Sequence, residues 1–126
     1  MKEKNAVNWF EIPVSDMDRA TEFYETIFEV QLDPLSLANG LKMAVFPERE
    51  GYNSGSLCFY PEFYIPGNAG PLVYLNANPS IDSVLARIEQ AGGRVLIPKN
   101  QISEQRGYMA VFEDTEGNRI ALNAMS

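Results

Sequence analysis

Two stretches of the chain alternate apolar with polar positions and then change to helical spacing. Residues 7–14, V-N-W-F-E-I-P-V, set Phe10, Ile12 and Val14 on one side of a predicted strand and Trp9 with Glu11 on the other. Pro13 marks a place near the end of that strand, because it has no N–H to donate to a ladder. Ser15 or Asp16 can then cap a helix by accepting one of its free backbone N–H groups. Met17, Ala20, Tyr24, Ile27 and Phe28 recur at helical intervals and give that helix an apolar stripe. Short strands are predicted at residues 30–32, 41–46 and 56–60, with turn chemistry at Asn39-Gly40 and across residues 51–55.

A segment punctuated by proline and glycine, Pro61-Glu-Phe-Tyr-Ile-Pro-Gly-Asn-Ala-Gly70, reads as a connector. After it the same order restarts. Residues 72–77 form a predicted strand, Ser80 is a candidate cap, and Ile81, Val84, Leu85, Ile88 and Ala91 make the apolar stripe of a second helix. Gly92-Gly93 stops that helix in left-handed backbone space. Strands follow at residues 94–97, 108–112 and 119–123, and Asp114-Thr-Glu-Gly-Asn118 makes the hairpin turn between the last two. The chain is thus an α+β fold of two tandem βαβββ modules, residues 6–61 and 71–126, joined by residues 62–70 within one domain. Val73, Leu75 and Ala77 are the counterparts of Phe10, Ile12 and Val14, with one residue of slippage between the halves. Leu72, Tyr74 and Asn76 make the opposite row, mixed in character like Trp9 and Glu11, as a sheet face lining a ligand crevice would be.

Composition narrows the chemistry. A formal charge of −7 repels phosphate backbones and anionic membranes, so nucleic acid and membrane are not expected partners, and a neutral or cationic small molecule is. No segment approaches the length of a membrane span, and the charged opening residues lead into no apolar stretch of a secretory signal. One cysteine, Cys58, excludes an internal disulfide framework and suits a reducing cytoplasm. There is no histidine at all, which removes imidazole metal ligands, Ser-His and Cys-His nucleophile pairs and the commonest neutral-pH base.

The stretch Trp9-Phe-Glu-Ile-Pro-Val-Ser-Asp-Met-Asp-Arg-Ala20, with Phe23-Tyr24, Gly92-Gly93 and Asp114-Thr-Glu-Gly-Asn118, resembles the vicinal oxygen chelate superfamily. That superfamily includes glyoxalase I, the bleomycin-resistance proteins and the extradiol dioxygenases, and the likeness is closest to small bacterial proteins related to lactoylglutathione lyase. It implies two βαβββ modules curled into a cupped half-barrel, usually completed as a homodimer. It also implies four inward-facing metal-ligand places, which fall here near Trp9, Cys58, Leu72 and Ala121. Three of those residues offer no ligand atom, and one thiolate does not make a site. No metal and no other cofactor is therefore expected.

Several side chains remain as candidates. Glu11, two residues past the first lost ligand, would act as a general base if burial raised its pKa, and Tyr74 could donate to a developing oxyanion. The plainer reading is that Glu11 accepts hydrogen bonds from Tyr74, Asn76 or a partner chain and organises a polar core. Trp9 is a stacking wall or a core aromatic; Cys58, without a histidine to deprotonate it, reads as an inert buried thiol. Tyr60, Tyr108 and Asn123 are placed on the concave face by alternation, or, for the tyrosines, at a dimer seam, while Phe63 and Tyr64 cap a crevice or cover a second subunit. The expected ligand-binding set is Trp9, Glu11, Cys58, Tyr60, Leu72, Tyr74, Asn76, Ala121 and Asn123. Three functions fit: a metal-free small-molecule binder, a lyase or isomerase related to lactoylglutathione lyase with Glu11 as base and Tyr74 or Asn76 as donors, or a dimer acting through a protein partner.

Overall fold

The strand-to-helix switch at Ser15 takes the form that capping chemistry dictates. In the computed structural model, which describes residues 5–126, Asp16 is the N-cap of helix α1 (Met17–Phe28) and its Oδ1 accepts from Arg19 N at 3.0 Å. Of the two capping candidates Asp16 therefore does the work. The charged residues 1–4 lie outside the described residues.

Strand β1 (Trp9–Pro13) precedes α1, and β2 (Asp33–Ser36), β3 (Lys42–Val45) and β4 (Ser54–Phe59) follow it. They form one sheet in the order β1-β4-β3-β2, with β1 parallel to β4 and the other pairs antiparallel. The second module repeats this with β5 (Val73–Asn76), α2 (Ile81–Ile88), β6 (Arg94–Ser103), β7 (Gly107–Glu113) and β8 (Arg119–Ala124), ordered β5-β8-β7-β6. The two sheets do not close on each other and form a cupped half-barrel.

The helix-facing rows are those expected. Ile12, Val14, Leu75 and Ala77 are buried and Phe10 packs on the core they share with both helices. That core spans the two modules: α1 packs on α2 as well as on β3 and β4, and Phe23 and Phe112 place their rings 5.8 Å apart. Each large apolar side chain buried there contributes about 1.5–3 kcal/mol of transfer free energy.

Three details differ from the sequence expectation. The strand expected at residues 30–32 lies instead at Asp33–Ser36, because Leu32 is drawn into the core below the end of α1. Strand β6 runs on to Ser103, carried by register shifts that let it bend. Ser80 is the N-cap of α2, but its side chain makes no capping bond; Ile81 N donates to the backbone oxygen of Ser126 instead. Gly92 has φ 109°, the left-handed stop anticipated for this helix.

Candidate functional site

The face of each sheet turned away from the helices holds the candidate side chains. Register makes Glu11 the neighbour of Ser56 and Tyr74 the neighbour of Ala121, while Pro13 pairs with Cys58 and Asn76 with Asn123. By register Ser56 is the counterpart of Ala121, and Cys58, two residues further along the same face, is the counterpart of Asn123. On this face Trp9 and Tyr74 are 38% and 50% exposed, open enough to touch a ligand, whereas Ser56, Cys58 and Ala121 are fully buried. Leu72 is half-buried just ahead of β5, and Asn76 is exposed.

Glu11 is exposed, so the burial anticipated for it is not found in the single chain. Its hydrogen-bond partner is also not the one expected. Tyr64 Oη, from the connector, donates to Glu11 Oε1 at 2.6 Å, and no bond joins Glu11 to Tyr74 or Asn76 among the described residues. This bond, and then burial, raises the Tyr64 hydroxyl pKa, because the neutral phenol is the form that donates. Cys58 lies beneath, its Sγ 3.2 Å from Ser56 Oγ. Burial first, and next the Glu11 carboxylate, push its thiol up to about 11 against a partial offset from Ser56, which leaves it an unreactive thiol at neutral pH.

The remaining candidates are distributed by strand geometry. Asn123 is on the concave face, but its amide donates to Arg106 O and Tyr108 O at 3.0 and 2.9 Å. Tyr108 is not on that face: it shares the helix side of β7 with Ala110 and Phe112 and packs on the core. Tyr60 leaves β4 and opens the connector, its carbonyl accepting from Phe63 N and Tyr64 N. That turn carries Tyr64 back over Glu11 and leaves Phe63 and Ile65 exposed at 74% and 76%.

The five-residue turn after β7 does more than reverse the chain. Glu116 Oε1 accepts from Ser15 N, Ser15 Oγ and Asp16 N at 2.9–3.0 Å, and Arg19 Nε donates to Oε2 at 2.8 Å. Burial pushes the Glu116 carboxyl up, but Arg19, Thr115 and the two backbone N–H groups outweigh it and hold it down at about 2. Tyr24 Oη donates to Asp114 Oδ2 at 2.6 Å, and burial raises both of these groups. Asn118 Nδ2 donates to Pro13 O at 2.7 Å. The second module thus clamps the β1–α1 junction of the first and sets the angle at which Trp9 and Glu11 are presented. The pattern D-T-E-G-N gives the turn away, with Gly117 at φ 86°, but nothing local shows the contact a hundred residues back.

The donor set does not suit a metal ion. Among the described residues no group of three or more Asp, Glu, Cys or His side chains is placed to hold one. Glu11 and the protonated Cys58 thiol stand beside Ser56 on the concave rows, while Asp33 and Glu113, on the same faces, belong to other strands and complete no group of three among the described residues.

A model of the Glyoxalase/Bleomycin resistance protein/Dioxygenase superfamily matches residues 6–122, and the chain belongs to that superfamily. No curated protein matches it in sequence. Among solved structures, TnmS3, an antibiotic binding protein from Streptomyces sp. CB03234, is 29% identical over 98% of both chains, with a TM-score of 0.62. A glyoxalase/bleomycin resistance protein from the same organism is 28% identical over 91% of this chain and 96% of that one, also with a TM-score of 0.62. A V278E mutant of glyoxalase I from Zea mays shares the fold at 16% identity and a TM-score of 0.68, over 93% of this chain and 45% of that one.

Proposed function

We propose that this protein binds a small molecule in a metal-free crevice of a cytoplasmic homodimer. The observation that carries the reading is the open concave face, which exposes Trp9 and Tyr74 together with a carboxylate held by Tyr64. Aromatic walls around a single fixed polar group are how pockets for flat or partly apolar molecules are usually built. The likeness to an antibiotic-binding protein over almost the whole chain supports a binder rather than a catalyst. Leu35, Leu37, Phe63, Ile65, Leu96 and Ile97 are exposed apolar side chains that a second copy would cover.

Trp9 is the sole tryptophan, so its fluorescence reports on this face alone. In a screen of polycyclic antibiotics and small aromatic metabolites, the binder reading predicts saturable quenching, weakened by Tyr74→Ala and lost in emission with Trp9→Phe. Saturable binding by calorimetry that Trp9, Glu11 and Tyr74 substitutions all leave unchanged would put the ligand elsewhere.

The bond from Tyr64 orients the Glu11 carboxylate, and one alternative uses that orientation: a lyase or isomerase with Glu11 as general base and Tyr74 as donor. Glu11→Gln separates the two. A binder loses no more than about tenfold in affinity, whereas an enzyme loses several orders of magnitude in turnover while still binding substrate.

A further inference from the structure

Between the edges of the two sheets runs a cleft of about 500 Å³, a volume suited to a small metabolite. Its floor is apolar, made by Ile12, Val73 and Ile120, and residues 65–71 of the connector form its roof. Two opposite charges line it: Glu11 from β1 and Arg119 from β8. Neither is ion-paired among the described residues. Each is fastened to the connector by one bond. Glu11 Oε1 accepts from Tyr64 Oη at 2.6 Å, and Arg119 Nη2 donates to Gly70 O at 2.8 Å. Between those two bonds Gly67 N donates to Asn118 Oδ1 at 3.0 Å, so the roof is fastened at three points.

Both charges border this one cleft: Asn118, adjacent to Arg119, donates to the Pro13 carbonyl at 2.7 Å, and Glu11 is two strand residues from Pro13, about 7 Å along β1. A carboxylate and a guanidinium with no ion-pair partner among the described residues, over an apolar floor, are complementary to a molecule that carries an ammonium, a carboxylate and an apolar body.

The geometry points to a zwitterionic ligand, an α-amino acid with an apolar side chain, its ammonium on Glu11 and its carboxylate on Arg119. This rests on the small-molecule-binding reading, shares Glu11 with that crevice, and assigns the adjoining cleft a ligand class and a further binding residue, Arg119. The zwitterion adds no net charge to a chain that already carries −7.

The test is isothermal titration of the full chain with each of the twenty common L-amino acids. The best binder is then compared with its amine-only and acid-only counterparts. The expected result is saturable binding of an apolar amino acid, with each single-charge counterpart weaker by about tenfold or more. Arg119→Gln should cost the amino acid about tenfold while sparing the amine, Arg119→Lys should restore part of the loss, and Glu11→Gln should do the reverse, sparing the acid. Melting temperatures within a few degrees of the parent chain show that the variants are folded. No binding by any of the twenty, or an amine that binds as well as its amino acid with Arg119→Gln neutral, overturns the proposal. In either case quenching of Trp9 by another ligand class leaves the crevice reading standing, and its absence removes both.

Discussion

Replacing Glu116 with glutamine keeps an oxygen to accept from Ser15 and Asp16 and removes the charge together with the second oxygen, which accepts from Arg19 and Thr115. In the folded chain that carboxyl is held at about 2, against an ordinary value of 4.5. A depression of that size corresponds to about 3 kcal/mol of preference for the ionised form. The Glu116 side chain has no exposed surface, but its partner Arg19 is 51% exposed, so screening brings the expected loss nearer to about 2 kcal/mol. For a domain of this length that is a fall in melting temperature of roughly 6–10 °C. The pH dependence follows from the sign of the shift. A carboxyl depressed in the fold contributes stability above its unfolded pKa and loses it as pH falls through the folded value. The gap between parent and variant in urea unfolding, followed by circular dichroism, should therefore be full near pH 7 and narrow steadily from about pH 4.5 toward 2. A gap as wide at about pH 3 as at neutrality, or none at neutrality, would refute the idea that a charged clamp joins the modules.

Other substitutions probe the packing and the crevice. A Cβ at Gly55 would run into the ring and carbonyl of Phe10, so Gly55→Ala should destabilise by about 3 kcal/mol or more and lower the melting temperature accordingly. Cys58 should react with a maleimide at pH 8 far more slowly than a free thiol, and at the ordinary rate once urea unfolds the chain; fast labelling of the folded protein would contradict its burial and raised pKa. Tyr64→Phe deletes the bond to Glu11 and should cost only about 1 kcal/mol of stability while making the connector easier for a protease to cut. An unchanged cleavage rate would mean that Gly67 and Gly70 hold the connector by themselves.

The element order was legible because both halves bury one row of each opening strand and one stripe of each helix. Phe10, Ile12, Val14, Val73, Leu75 and Ala77 form unbroken apolar rows opposite neighbours of mixed character, so tertiary burial and local period agree. Strand β2 was not legible. Its residues D-P-L-S are all exposed and lack strand propensity, and pairing with β3 is what holds them extended. The apolar Val30 and Leu32 that drew the expectation upstream serve the core instead.

At the site, the faces of Trp9, Glu11, Tyr74 and Asn123 followed from alternation, and Tyr108 did not, because the direction of β7 could not be read without its pairing to β8. Glu11 acquired its partner from a connector 53 residues away, and Glu116 its partners from residues about a hundred positions back. Such contacts depend on how the modules dock, which no local period encodes. Arg119 escaped notice for the same reason: its neighbours in the cleft come from the other module and the connector.

The central claim is a small molecule held by a metal-free dimer, and native mass spectrometry of gently purified protein, kept free of chelators, tests it most directly. The account predicts a dimer without stoichiometric metal that retains a small organic molecule, released when Trp9 or Tyr74 is replaced. One divalent ion per subunit would contradict the reading of the concave donor set, and a bare monomer would contradict the assembly and the crevice together.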